Sequence, residues 1–80
     1  MNTTILAFGI VRELFNGASQ KMELPEGATV AALKNRLESD YPEIKKLRSY
    51  MVAVNNEYAD DSLVLRAQDE IAVIPPVSGG

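Results

Sequence analysis

The sequence predicts an α+β fold: a mixed sheet of about five strands packed on one main helix, with a flexible C-terminal tail. Three observations predict it. The runs "TILAFGIV" (4–11) and "EIAVIP" (70–75), near opposite ends of the chain, are apolar at both alternating sets of positions, which marks strands central in a sheet. Only one long stretch, "VAALKNRLESDY" (30–41), has apolar residues at helical spacing. Shorter alternating runs, separated by turn signals, supply the remaining strands.

The first run places Ile5, Ala7 and Val11 on one face and Leu6, Phe8 and Ile10 on the other. "RELFNGAS" breaks this pattern, and Arg12 to Phe15 are expected to form one helical turn stopped by Asn16-Gly17. "QKMEL" (20–24) alternates with Met22 and Leu24 inward, so the first two strands form a hairpin. After the loop "PEGAT", the Thr29 hydroxyl is placed to accept an orphan N–H at a helix start. Val30, Leu33, Leu37 and Tyr41 then make one apolar stripe, with Lys34 and Glu38 on the outer side, and Pro42 ends the helix at or before Tyr41. Residues 44–49 read as a short turn or a loop. "YMVAVN" (50–55) reads as a strand, and Asn55-Asn56 can take positive φ and lead into a short strand near Glu57 to Ala59. "DDSLVLRAQDE" reads as loop anchored by Leu63 and Leu65, and Pro75-Pro76 stop the last strand, since neither can donate to a ladder.

The resulting order is β-β-α-β-β-β, with the first and last strands side by side and parallel at the centre. This is the β-grasp, or ubiquitin-like, arrangement. One helix covers only one face of such a sheet. The second face is then either an exposed apolar docking patch or is covered by loops 42–49 and 60–69.

Composition narrows the function. Eighty residues fit one domain, expected over 1–75 with an extended tail at 76–80. The chain has neither cysteine nor histidine. It therefore lacks disulfides, thiolate metal sites and the usual general base, and no metal site is expected. A net charge of −3 argues against nucleic acid, whose phosphates require a basic footprint. No apolar stretch is long enough to span a membrane, and the opening run has no basic region before it and no cleavage site after it, so the expected location is cytoplasmic. The acidic pairs Asp60-Asp61 and Asp69-Glu70 are sequence neighbours that point apart, and a solvated-loop role is expected for both rather than acid–base catalysis. Lys45, Lys46 and Arg48 read as a solvated basic face.

The terminal Gly79-Gly80 is more informative. At the usual glycine share of about 7%, such a pair arises by chance about once in 200 chains. Chance and a cloning remnant are the bland readings. Two residues without Cβ also allow a backbone to enter a channel no wider than itself. Pro75-Pro76 gives the tail a stiff root, and the five residues from Pro76 reach about 15 Å. These properties fit a carboxyl group delivered into another protein's active site.

"FGIVREL" (8–14), "VAVN" (52–55) and "DEIAVIPPVSGG" (69–80) together resemble the small subunit of molybdopterin synthase, a sulfur carrier of molybdenum cofactor synthesis, over essentially the whole chain. The resemblance implies a β-grasp fold and a chain that is not catalytic alone. An E1-like adenylating enzyme would use ATP to activate the Gly80 carboxylate, and a sulfur donor would convert it to a thiocarboxylate. The large synthase subunit, in a heterotetramer with the small one, would receive the tail and pass its sulfur to a pyranopterin precursor. Mapped onto this chain, Gly80 carries the sulfur, Gly79 and Ser78 line the narrow passage, and Val77, Pro76, Pro75 and Ile74 form the tail's root and contact partners. Phe8 and Arg12 fall on the family's "F..VREL" segment and are possible interface residues, although core packing for Phe8 and an internal ion pair for Arg12, with Glu70 as a partner, are the preferred readings. Many members carry aromatic residues where Val73 and Ile74 stand.

Three other readings stay open. They are the sulfur carrier of thiamine thiazole synthesis, which shares the fold and the Gly-Gly end; a ubiquitin-like modifier joined to lysines through Gly80; and a plain β-grasp binding module.

Overall fold

The computed structural model describes residues 1–47 and 49–75. The elements are β1 (Asn2–Ala7), α1 (Ile10–Phe15), β2 (Ser19–Glu23), α2 (Val30–Asp40), a 3₁₀ turn (Pro42–Lys46), β3 (Met51–Val54), β4 (Glu57–Tyr58) and β5 (Ile71–Ile74). The strands form one sheet in the order β2-β1-β5-β3-β4. The central pair β1–β5 is parallel, with Ile5 opposite Ile71 and Ala7 opposite Val73, while β1–β2, β3–β5 and β3–β4 are antiparallel. This is the expected β-grasp topology.

The core lies between the sheet and the helices. Ile5, Ala7, Val52, Val54, Ile71 and Val73 face Val30, Leu33 and Leu37 of α2, and Val11, Phe15, Ile44 and Leu65 close its ends. The buried Thr3 hydroxyl donates to the Met22 carbonyl at 2.8 Å, so this polar group enters the core with its hydrogen bond made.

Helix α2 shows why the 60–69 loop lies where it does. A helix start leaves backbone N–H groups without intrahelical partners. Here the Thr29 Oγ1 accepts from Ala32 at 3.2 Å, as expected of an N-cap. The Leu63 carbonyl accepts from Val30 and the Asp61 carbonyl from Ala31, each at 3.0 Å, and Leu65 donates to Ala28 at 2.8 Å. Three backbone bonds therefore hold the loop to the start of the helix, away from the second sheet face. Leu65 is the buried anchor, but Leu63, the other expected anchor, is exposed, and it is its backbone carbonyl that is held to α2. Residues 42–46 likewise pack on the helices, with Ile44 fully buried.

One further expectation is corrected. The first strand ends at Ala7 instead of running to residue 11, because Gly9 turns the chain at φ 55° and ψ −134° into α1. Ile10 and Val11 therefore belong to a helix, which ends at Asn16 in the left-handed conformation, φ 60°. On the outer side of α2, Lys34 Nζ lies 2.7 Å from Asp61 Oδ1, and Glu38 accepts from the Tyr50 hydroxyl at 2.7 Å. The turn between β3 and β4 follows expectation, with Asn55 and Asn56 at φ 54° and 70° in a two-residue hairpin loop.

Candidate functional site: the open sheet face and the root of the tail

Strand alternation carries every second side chain through the sheet. With Ile5, Ala7, Val52, Val54, Ile71 and Val73 committed to the core, Leu6, Phe8, Met51, Ala53, Ala72 and Ile74 must project from the other face. Among the described residues no helix lies there. Leu6, Phe8, Ala53, Tyr58, Ala72 and Ile74 line a shallow depression of about 340 Å³, and Asn56 and Glu70 are its polar members. Phe8 is 49% exposed, Met51 44% and Tyr58 68%. A cluster of large apolar side chains left in water marks a docking surface. Of the two readings open at the outset, the uncovered patch is the one observed.

Phe8 is thus not a core residue. It follows Leu6 in the alternation and reaches the open face just before the chain turns. Arg12 is exposed and makes no ion pair among the described residues. The expected partner, Glu70, precedes β5 at one end of the parallel pair, whereas α1 follows β1 at the other end.

Ile74 and Pro75 are the last described residues of the expected tail region, both half-buried. Because β5 runs parallel to β1, the chain leaves the sheet at the pole where β1 turns into α1. There Gly9 meets Pro75: a Cβ built on Gly9 would lie 2.9 Å from Pro75 Cγ. The open face thus runs up to the tail's root through Phe8 and Ile74. Pro76, Val77, Ser78, Gly79 and Gly80 lie outside the described residues, as does Arg48 of the basic cluster.

Reading the sequence passed over Met51, Tyr58 and Gly9. Alternation within "MVAV" already separates Met51 and Ala53 from Val52 and Val54. The two-residue Asn-Asn loop sets Tyr58 opposite Ala53. A lone glycine inside an apolar strand pattern signals a bend or a close backbone approach, and Gly9 makes both.

The ionisable groups with displaced equilibria lie elsewhere. Burial and the hydrogen bond to Glu38 push the Tyr50 hydroxyl above its ordinary value. The Met1 ammonium is raised by its hydrogen bond to Glu23, 2.7 Å away. Both groups belong to ordinary polar contacts away from the depression. Among the described residues no cluster of carboxylates could hold a metal ion. The expected acidic loop pairs act structurally: Asp61 pairs with Lys34, and Asp69 accepts from Asn55 and from the Arg66 backbone. Among the described residues the site therefore has the features of a surface for docking.

Comparison with known proteins matches this geometry. A sequence profile of the ThiS family matches residues 5–80. The chain is 40% identical over 80 residues to the molybdopterin synthase sulfur carrier subunit of Dictyostelium discoideum, covering 95% of this chain and 93% of that one. It is 36% identical over 77 residues to the subunit of the same name from Arabidopsis thaliana, covering 95% and 80%. Among solved structures, a candidate subunit 1 of the molybdopterin converting factor of Pyrococcus furiosus superposes with a TM-score of 0.86 at 26% identity, covering 96% of this chain and 99% of that one. By this near-full-length likeness the chain belongs to the ThiS family and, within it, to the molybdopterin synthase sulfur carrier subunits.

Proposed function

We propose that this chain carries sulfur as a thiocarboxylate on Gly80 and gives it up within a molybdopterin synthase, for the making of molybdenum cofactor. The observation that carries this reading is the likeness to sulfur carrier subunits over 95% of the chain, with the family match reaching Gly80. The chain is a cargo-bearing subunit and not an enzyme by itself. Its chemistry needs partners. A carboxylate resists attack by sulfur because oxide is a poor leaving group. In the active site of an E1-like adenylating enzyme, the Gly80 carboxylate attacks ATP, pyrophosphate leaves and an acyl-adenylate forms. A sulfur donor then attacks the carbonyl carbon and AMP departs, leaving the thiocarboxylate. The large synthase subunit binds the open apolar face and receives the tail, and after sulfur passes to the pyranopterin precursor, water restores the carboxylate. The cycle runs in the cytoplasm.

The test is the intact mass of the chain after incubation with its host's adenylating enzyme, ATP and a sulfide source. The expected result is a gain matching one oxygen replaced by sulfur, absent when Gly80 is deleted. No gain, with the same enzyme shown active on another carrier, overturns the reading. Stable attachment to lysines of other proteins in place of sulfur transfer would favour a modifier.

A further inference from the structure

We propose that Gly9 is a positioning residue for the tail: by lacking a side chain it lets Pro75 seat against the β1–α1 corner, and this contact fixes the direction in which the chain leaves the sheet. The inference rests on the carrier reading.

Two independent features of Gly9 carry it. Its backbone sits at φ 55° and ψ −134°, a combination open to glycine and strongly disfavoured for L-residues with a Cβ. Its missing Cβ would also stand 2.9 Å from Pro75 Cγ, closer than side-chain carbons pack. Gly17 differs, with nothing within 4 Å of a Cβ built there. Gly27 shares the positive φ, at 81°, but it too faces open space. Gly9 alone among these three joins a glycine-only backbone to a tight contact, and the contact is with the first residue after β5. Proline suits the other half of the joint, because its ring fixes φ and gives a rigid surface to seat. A delivered carboxyl group must arrive in line with its attacking or leaving atom, and a displacement of about 1 Å at such a centre lowers rates as much as a hundredfold.

The test uses the full chain in the loading reaction, with Gly9→Ala, Pro75→Ala and the double variant. Gly9→Ala is expected to lower kcat for thiocarboxylate formation about tenfold. The KM should change less than about twofold, since the substitution acts on how the carboxylate is presented and not on binding. The double variant, freed of the ring, should recover to within about threefold of Pro75→Ala alone. A Gly9→Ala chain that loads at the wild-type rate overturns the inference, and so does a double variant as slow as Gly9→Ala. D-Alanine at position 9, introduced by chemical synthesis, covers the case in which Gly9→Ala fails to fold. For a D-residue this backbone mirrors the common polyproline region, and its Cβ points away from the position that meets Pro75. Wild-type loading is expected of it, and a loss of tenfold or more there overturns the inference. A wild-type chain that gains no sulfur defeats the carrier reading itself, whereas normal wild-type loading with an indifferent position 9 defeats only the joint.

Discussion

The two faces of the sheet are built from the same strands and nearly the same residue types, yet they do different work. On the closed face Ile5, Val52, Ile71 and Val73 meet α2 and are at most 1% exposed. On the open face Leu6, Ala72 and Ile74 come from those same strands, and Phe8, Met51 and Tyr58 around them stand in water. Hydrophobicity alone does not distinguish core from interface. What distinguishes them is whether the chain supplies its own cover, and here both connecting segments that could reach the open face are bonded to the helix side.

That comparison predicts a clean separation of stability from docking. The largest effect on stability is expected from Leu33→Ala, which empties a fully buried site on the closed face and should cost about 3 kcal/mol, read as a lower denaturation midpoint in urea. Phe8→Asp should do the converse. It is expected to weaken binding to the large synthase subunit about a hundredfold, measured by titration calorimetry, while the urea midpoint moves little because water already surrounds half of the ring. If Phe8→Asp unfolds the chain, or Leu33→Ala weakens docking in molecules that remain folded, the division between faces fails. Thr29→Ala removes the cap of α2 and should cost about 1 kcal/mol. The loss should be no larger if the Asp61 and Leu63 carbonyls keep the helix start in place.

The smallest effect concerns pH. The Tyr50 hydroxyl is shifted upward by burial and by donating to Glu38. For an acid whose folded pKa is raised, the neutral form is favoured in the folded state. Its contribution is complete below the ordinary tyrosine value of about 10 and is lost as pH rises above it. Tyr50→Phe should therefore flatten the fall in stability on the alkaline side, compared by thermal melts of both proteins across that range. An unchanged slope would show that the contact with Glu38 does not hold in solution.

Much of this was legible in the sequence, and the misses share a cause. Strand order, the central parallel pair, the Thr29 cap and the Asn55-Asn56 turn each follow from a local signal whose physics is short-range. The open face followed from counting helices against apolar strand faces. The corner at Gly9 was hidden because "TILAFGIV" alternates without a break, and periodicity does not register a single residue whose backbone departs from the strand. Once that bend is placed, Val11 becomes a helical core residue and Phe8 the rim of the docking face. The assignments of Leu63 and Arg12 depended on where a loop or helix lies against the sheet, and that is decided by the α2 cap bonds with Asp61 and Leu63 and by the packing of α1. The roles of Gly79 and Gly80 rest on the chemistry of the tail and on family likeness, not on packing.

The parallel pairing of β1 with β5 also governs how the protein comes into being. The strand made first and the strand made last are neighbours at the middle of the sheet. Contacts between such distant parts of a chain close late and slow the search for the native state. During synthesis β1 and β2 can form a hairpin, but their sheet cannot join β3 and β4 until Ile71 to Ile74 have been made. A nascent chain thus keeps an unpaired, apolar strand edge until β5 arrives, and this is its period of greatest exposure to aggregation. The strand that unites the two halves of the fold is thus also the one that leads into Pro75, the residue that meets Gly9.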